Sequence, residues 1–188
     1  WLLLFLLPYF LYLKIENESN TVTAIAVNII LKKCGWSTRG IFLLDIPNIF
    51  AIRDHGVKMG WRMLGSVDRH FYEDAELIRN AGGVFDDHCM NGTHGQLRLA
   101  ELEPQKDVYI RAKDGPMMGV RVYSEEELKR YVESDAQLIF EKQSYDVNTN
   151  PNFVPTLKLL LESGIEKIIF NGFATDYCVK AAVLATAK

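Results

Sequence analysis

The sequence has few cysteines, and their number and spacing argue against two common uses. Cys34, Cys89 and Cys178 are the three cysteines among 188 residues. An odd count with no Cys-x-x-Cys pair argues against a disulfide framework and against a zinc finger or ribbon. Such usage is typical of a reducing compartment, so we expect free thiols and a cytoplasmic protein.

An excess of positive charge is also lacking. Lys and Arg total 21 against 24 Asp and Glu, for a net charge of −3, and no basic stripe interleaved with aromatic residues is visible. This balance gives no support to a nucleic-acid partner or an anionic membrane. With 48% apolar and 24% charged residues, the chain has the composition and length of one globular domain.

Long apolar runs are rare, and the strongest is WLLLFLLPYFLYL at residues 1–13. It is too short to span a bilayer as a helix, and Pro8 interrupts it. We favour a core strand or a segment foreign to the domain over the remainder of a signal or anchor segment. Because the polar KIENESN (14–20) predicts a linker, we expect residues 1–20 to lie outside a single domain over 21–188.

The second half of the chain alternates between strand and helix patterns. Strands are predicted over 107–113, 137–142 and 166–172, and helices over 124–136, 153–164 and 176–188. Ser124 and Glu127 have the spacing of a capping box at the start of the first helix. This alternation predicts a three-layer α/β/α fold with a mainly parallel sheet.

The first half is less regular. GIFLLD (40–45) predicts a strand buried on both faces, which Pro47 follows as a terminator. Residues 21–36 fit either a helix or a strand. Residues 66–98 are rich in Asp, His, Gly and Asn, so we expect mostly loop there.

Three reactive side chains follow predicted strands. Asp45 closes GIFLLD, Lys142 closes QLIFEK, and Cys178 comes just after EKIIFNG, in the first turn of a helix. In parallel sheets the carboxyl ends of the strands share one edge, where ligands bind. If these strands are neighbours, an acid, an amine and a thiol meet there.

That trio suits acyl transfer. Helix-end amides and a nearby ammonium favour the thiolate, and an aspartate can take the thiol proton and pass it to a leaving amine. The pattern therefore predicts hydrolysis of an amide through a thioester. Taken singly, the alternatives are a buried structural Cys178, a turn residue at Asp45 and a solvated Lys142.

Three segments carry a resemblance to a known family. GFATDYCVKAA (172–182) resembles the nucleophile segment of the isochorismatase-like cysteine hydrolases, and within them that of the nicotinamidases and pyrazinamidases. LLDIPNIF (43–50) is similar to the family's first strand, and FEKQSYD (140–146) to its lysine segment. The resemblance implies a triad of Asp45, Lys142 and Cys178, with Cys178 as the nucleophile and Asp45 as the proton shuttle.

The same resemblance implies the surroundings of the substrate. Backbone amides of Ala174 and Cys178 would form an oxyanion hole, with a cis peptide between Phe173 and Ala174. Phe50 would be an aromatic wall for a flat ring, with Phe173 also beside the substrate.

Two further segments, SVDRHFYEDAEL (66–77) and FDDHCMNGTHGQ (85–96), supply Asp68, His70 and His88. Two imidazoles and a carboxylate suit zinc, iron or manganese. The Asp-x-His followed by His-Cys-x-x-Gly-Thr resembles the metal-binding pattern of nicotinamidases, which implies one divalent ion that orients the substrate ring. We expect Cys89 to be structural, and the carboxylates between the histidines, Glu73, Asp74 and Glu76, to form a solvated face.

The chain also departs from the family pattern. Pro47 stands where the family generally has Gln, and Ile49 where it often has Asp. The resemblance covers residues 40–188 and predicts that the C-terminal strand and helix of the family are missing. An uncovered sheet edge would need a partner, so we expect a homo-oligomer.

Three functions stay open. The first is a metal-assisted amidohydrolase of NAD salvage that converts nicotinamide, or a similar aromatic amide, to the acid and ammonia. The second keeps the triad but cleaves a ureido or carbamoyl compound without a metal. The third is a truncated, non-catalytic homologue that serves as a binding or assembly subunit.

Overall fold

The computed structural model describes residues 3–7, 10–14, 24–29, 42–98, 106–172 and 175–187. The strands are β1 (Leu3–Leu7), β2 (Phe10–Lys14), β3 (Ala24–Ile29), β4 (Arg62–Asp68), β5 (Asp107–Ile110), β6 (Gln137–Lys142) and β7 (Lys167–Gly172). The helices are α1 (Phe42–Lys58), α2 (Glu125–Glu133), α3 (Phe153–Glu162) and α4 (Lys180–Thr186).

Five of these strands form one parallel sheet in the order β5-β6-β4-β3-β7. In the register of β4 and β6, Asp68 lies opposite Lys142, so both side chains stand at the carboxyl edge of the sheet. The predicted α/β architecture with a mainly parallel sheet is confirmed. β1 and β2 form a separate antiparallel pair.

The main core lies between the sheet and the helices α2, α3 and α4. Leu64, Leu138, Phe140 and Phe170 point from the strands into one cluster with residues of these helices. Val67 and Ile139, whose side chains alternate to the other face, are also buried, so both faces of the sheet are covered. Helix α1 contacts β3, β4 and β7.

Local sequence signals explain the ends of α2 and α3. The Ser124 side chain accepts from the Glu127 amide, and the Ser124 amide donates to the Glu127 carboxylate, which confirms the predicted capping box. Helix α3 buries Phe153, Leu157 and Leu160, each worth about 1.5–3 kcal/mol of hydrophobic stabilisation. It ends before Gly164, whose φ of 96° favours glycine.

The strand predicted over 40–45 is wrong for the described residues, because α1 begins at Phe42 and includes Asp45. Pro47 does not terminate regular structure but lies inside α1, where it removes one intrahelical hydrogen bond. A short apolar run cannot by itself distinguish a strand from a helix. The strand that pairs with β4 on the side of β7 is instead β3. Of the segment 21–36, which fitted either a helix or a strand, residues 24–29 are therefore a strand.

The N-terminal strands and the cysteines complete the description. None of the helices among the described residues is long and apolar enough to cross a bilayer. The separation of residues 1–20 from the domain stays a prediction. Cys178 forms no disulfide, but Cys89 is disulfide-bonded, so the expectation of unbridged thiols is wrong for Cys89. The odd number of cysteines was not sufficient to exclude one bridge.

Candidate active site

The first cluster joins the ends of β4 and β6 to the segment before α4. Lys142 is fully buried, and its Nζ donates to the carboxylate of Asp68 and to the backbone oxygen of Ser144, the latter at 3.0 Å. The same Nζ lies 3.8 Å from Sγ of Cys178. An ammonium, a carboxylate and a thiol therefore meet at the carboxyl edge of the parallel sheet.

The charge of Lys142 is fixed by its neighbours. Burial is the largest single influence and opposes the charged form, but the charges of Asp68 and Cys178 and the hydrogen bond to Asp68 act in the opposite direction. The charges and the hydrogen bond outweigh burial, so the pKa of Lys142 lies above its ordinary value of 10.5. The side chain is therefore an ammonium at neutral pH, which favours a thiolate beside it.

Cys178 lies in a π-helical turn, Thr175–Val179, which leads directly into α4. The sequence predicted an ordinary first turn of an α-helix, so the backbone is locally wider than expected. Turns of this kind are frequent at functional sites. Cys178 is partly buried and packs against the main core, with its sulfur within reach of Lys142.

Other predicted residues of the thiol site are described only in part. Asp45 lies in α1, and the position of its carboxylate is outside what the structure describes. Phe173 and Ala174 are also outside the described residues. Phe50 is half-buried in α1, and the guanidinium of Arg53 lies 5.0 Å from the centre of its ring. The roles of these residues therefore stay predictions.

A second cluster contains His70, Glu76 and His88. One nitrogen or oxygen atom from each lies within 4.8 Å of the others. Glu76 Oε1 is 3.7 Å from Nε2 of His70 and 3.7 Å from Nε2 of His88. His70 is completely buried, and its Nε2 has no hydrogen-bond partner among the described residues. Two imidazoles and a carboxylate around an unpaired buried nitrogen fit a divalent transition metal.

Both imidazoles have an oxygen acceptor on the side away from Glu76. Nδ1 of His70 is 3.1 Å from Oδ2 of Asp74, and Nδ1 of His88 is 2.7 Å from the backbone oxygen of Asp86. A carbonyl or carboxylate oxygen accepts, so the proton of each neutral ring sits on Nδ1. The Nε2 atom of each ring then faces Glu76, which is the orientation that metal-binding histidines require.

The protonation of His88 is consistent with this role. Burial is the main cause that lowers the pKa of His88 below its ordinary value of 6.5, and the nearby His70 acts in the same direction. The hydrogen bond to Asp86 and the carboxylates of Asp68 and Glu76 oppose the shift without cancelling it. His88 is therefore neutral at neutral pH, which is the form that binds metal.

The structure thus regroups the residues predicted for the metal. It brings His70 and His88 together with Glu76, whereas the contact described for the carboxylate of Asp68 is with Lys142. The expectation of a solvated face holds for the exposed Glu73 but is wrong for Asp74 and Glu76, which are largely buried. The spacing of these acidic residues gave no signal that distinguished the three.

Three aromatic rings that sequence reasoning missed connect the two clusters. Ring centres of Phe85, Tyr145 and Tyr177 lie 5.3 to 6.4 Å apart, and Phe85 is 5.8 Å from His88. Tyr177 directly precedes Cys178, and the backbone amide of Tyr145 donates to Oε2 of Glu76 at 2.6 Å. These rings place aromatic surface beside His88, one of the residues of the second cluster.

The chain has the fold of the isochorismatase-like hydrolases, as comparison with solved structures shows. A pyrazinamidase of Pyrococcus horikoshii in complex with zinc matches with a TM-score of 0.55 and 16% identity, over 88% of this chain and 78% of that one. N-carbamoylsarcosine amidase from Thermoplasma acidophilum matches with a TM-score of 0.53 and 17% identity, over 88% and 76%. A nicotinamidase from Bacillus subtilis gives 0.53 and 18%, over 88% and 80%.

By sequence alone, no family model and no curated protein matches the chain. At the identities of the structural matches, the likeness establishes the fold, and function must be argued from the site. The resemblance noted in the sequence is thereby confirmed at the level of the fold.

Proposed function

We propose that this protein is a cysteine amidohydrolase that converts nicotinamide, or a similar heteroaromatic amide, to the acid and ammonia. The observation that carries the proposal is the distance of 3.8 Å between Nζ of Lys142 and Sγ of Cys178 at the carboxyl edge of the sheet. A buried ammonium beside a cysteine sulfur stabilises the thiolate, which is the nucleophile that amide cleavage through a thioester needs.

The proposed reaction has two halves. In the first, the Cys178 thiolate attacks the amide carbon, a C–S bond forms, and the C–N bond breaks as the nitrogen receives a proton and leaves as ammonia. In the second, water attacks the thioester, and the C–S bond breaks to give the acid and the free thiol. Asp45 is the proposed proton carrier between thiol, amine and water.

The remaining groups of the thiol site are assigned by the resemblance. Backbone amides of Ala174 and Cys178 would hold the oxygen of the tetrahedral intermediate, where such donors stabilise developing charge. Phe50 and Phe173 would contact the ring of the substrate. Within the described residues, Phe85, Tyr145 and Tyr177 form one aromatic group beside His88, and Tyr177 directly precedes Cys178 in sequence.

His70, Glu76 and His88 would hold one divalent ion, either zinc, iron or manganese, and Asp68 remains a candidate through its place two residues before His70. When bound, the ion would supply a Lewis-acid site for a ring nitrogen. The chain's own residues orient that site, because Asp74 and Asp86 fix the proton on the far side of each imidazole. The unpaired Nε2 of His70 supports this assignment.

A second candidate substrate is a carbamoyl compound. The observation that favours it is the fold match to N-carbamoylsarcosine amidase, which is as close as the match to the nicotinamidase. The thiol chemistry would be the same, since each reaction breaks a C–N bond next to a carbonyl carbon. This candidate predicts turnover without a metal.

The test is ammonia release by the purified protein from nicotinamide and from N-carbamoylsarcosine, each with and without added zinc, iron or manganese. We expect metal-stimulated release from nicotinamide and none from a Cys178→Ala control. Metal-independent release from the carbamoyl compound alone would favour the second candidate. No release from either would favour a non-catalytic binding subunit. The homo-oligomeric state, the cytoplasmic location and the role in NAD salvage stay predictions.

A further inference from the structure

We infer that Asp74 is a positioning residue for the metal centre, because its carboxylate fixes the tautomer and orientation of His70. This inference rests on the metal site of the proposed function. Asp74 would not contact the ion or the substrate, and it would act only through the imidazole ring of His70.

The carboxylate of Asp74 is held on several sides. It is 7% exposed, and its Oδ2 lies 3.1 Å from Nδ1 of His70 and accepts from the Phe71 amide at 2.9 Å. Oδ1 is 4.0 Å from Nζ of Lys113, a partly buried cation that also lies 5.2 Å from the centre of the Phe71 ring. The carboxylate therefore has a fixed position and a cationic neighbour.

The backbone of Asp74 is fixed as well. Its amide donates to the Phe71 oxygen at 3.1 Å, and its own carbonyl accepts from Leu77 at 3.2 Å and from the Asn80 side chain at 2.8 Å. The loop between the two histidines thus forms a hydrogen-bonded turn around this residue. A side chain anchored in this way can select one orientation of a neighbouring ring.

The consequence for His70 follows from hydrogen-bond chemistry. A carboxylate oxygen accepts but does not donate, so Nδ1 of His70 must carry the ring proton to pair with it. Nε2 then has its lone pair directed into the cluster, where Glu76 Oε1 lies 3.7 Å away. With the opposite tautomer, two lone-pair atoms would face each other at 3.1 Å, and a metal could not bind Nε2.

Glu76 is positioned by a backbone group instead of a side chain. The Tyr145 amide donates to its Oε2 at 2.6 Å, which leaves Oε1 on the side of the two histidines. Substitutions at Tyr145 other than proline keep this amide, whereas the carboxylate of Asp74 can be changed directly. Asp74 is therefore the residue that tests positioning in this cluster.

The experiment compares zinc affinity, by competition with a chelator, in wild type, Asp74→Asn, Asp74→Ala and the matched control Glu73→Gln. Glu73 is exposed and adjacent in sequence. We expect Asp74→Ala to weaken zinc binding by about 10- to 100-fold, the range for loss of such outer partners. Asp74→Asn should have a smaller effect in the same direction, and Glu73→Gln should change affinity by less than about twofold.

A second readout uses the metal-free protein. Long-range ¹H–¹⁵N spectra of the histidines should show the proton of neutral His70 on Nδ1 in wild type, with a population on Nε2 in Asp74→Asn. Circular dichroism identifies any variant that has not folded. If Asp74→Ala does not fold, the test is the comparison of wild type with the isosteric Asp74→Asn variant. Unchanged zinc affinity together with an unchanged tautomer in a folded variant would overturn the inference.

The two proposals fail in different ways. If wild type binds no divalent metal, the metal site of the proposed function fails, and the spectra of the metal-free protein still decide whether Asp74 sets the His70 tautomer. If wild type binds zinc but releases no ammonia, the amidohydrolase proposal fails while the affinity series remains decisive for Asp74.

Discussion

Nζ of Lys142 lies 3.8 Å from Sγ of Cys178 and donates a hydrogen bond to the carboxylate of Asp68, its partner across the β4–β6 register. Two strand ends and one helix entrance therefore bring three residues, separated by 36 and 74 positions in sequence, into one cluster. Because the buried ammonium of Lys142 contacts both a thiol and a carboxylate, we expect it to stabilise this edge of the sheet and also to favour the thiolate of Cys178.

Replacing Lys142 by Met should destabilise the protein. The side chain of Lys142 is 1% exposed and that of Asp68 22%, so the substitution removes the ammonium that pairs with a largely buried carboxylate. Removing one member of a buried pair costs about 3–5 kcal/mol, and the partial exposure of Asp68 favours the lower end. Urea unfolding measures the loss, and Lys167→Met, on the half-buried start of β7, is a matched control. Equal stability in both variants would contradict a structural role for the pair.

The same pair predicts a dependence of stability on pH. Because folding raises the pKa of Lys142 above its ordinary value of 10.5, the folded state holds this proton more tightly than the unfolded state. The resulting stabilisation is complete below that ordinary value and is lost as the pH rises through the folded-state pKa. Unfolding free energies measured from pH 8 upwards should fall more steeply in wild type than in Lys142→Met. Parallel curves would contradict this assignment.

Much of the fold could be predicted because its second half obeys local rules. The capping box at Ser124, the glycine after α3 and the apolar runs of β6 and β7 each act over a few residues and agree with the global sheet. The helix α1 could not be predicted, because the apolar run GIFLL before Asp45 is short and has no helical or alternating period. Residues 42–45 are helical in a fold where β3 already pairs with β4, and which segment pairs with β4 is set by the tertiary structure.

The site was predictable to a similar degree. Lys142 and Cys178 could be paired because parallel strands share one carboxyl edge, and this follows from topology alone. Glu76 and Asp74 could not be distinguished from the exposed Glu73, since all three lie in one irregular loop without periodicity. The turn of that loop around Asp74 and the Tyr145 amide that holds Glu76 decide which carboxylates face the histidines.

Asp45→Asn should lower kcat by about 10²–10⁴-fold if Asp45 is the proton carrier, the usual range for general acid–base groups. The Asn side chain preserves size and cannot accept the thiol proton. Metal affinity should not change, because His70, Glu76 and His88 are untouched. Asp68→Asn is the informative comparison, since Asp68 contacts Lys142 directly. Full activity in Asp45→Asn together with loss in Asp68→Asn would reassign the proton carrier.

Removing the metal, or the substitution His70→Ala, should weaken substrate binding more than it changes the reactivity of the thiol. The ring-binding cluster and the thiol cluster contain different side chains. We expect KM for nicotinamide to rise by about tenfold or more, while alkylation of Cys178 by iodoacetamide changes by less than about twofold. An unchanged KM after complete chelation would count against a role of the metal in orienting the ring.

Glu76→Gln should reduce zinc affinity by about tenfold or more, because it removes the negative charge that faces both imidazoles at 3.7 Å. Oε2 also accepts from the Tyr145 amide, and the Gln oxygen can keep that bond. The loss should therefore appear in metal affinity and hardly in thermal stability. Glu73→Gln serves as the control, and equal zinc affinities for the two variants would remove Glu76 from the ligand set.

The most direct measurement is rapid-quench mass spectrometry of the protein mixed with nicotinamide and metal. The account predicts a transient acyl adduct on the peptide that contains Cys178, which forms as ammonia is released and disappears as the acid is produced. The adduct should be absent from Cys178→Ala, whose turnover falls by about 10³-fold or more. Ammonia release at an undiminished rate by Cys178→Ala, with no adduct in wild type, would contradict it.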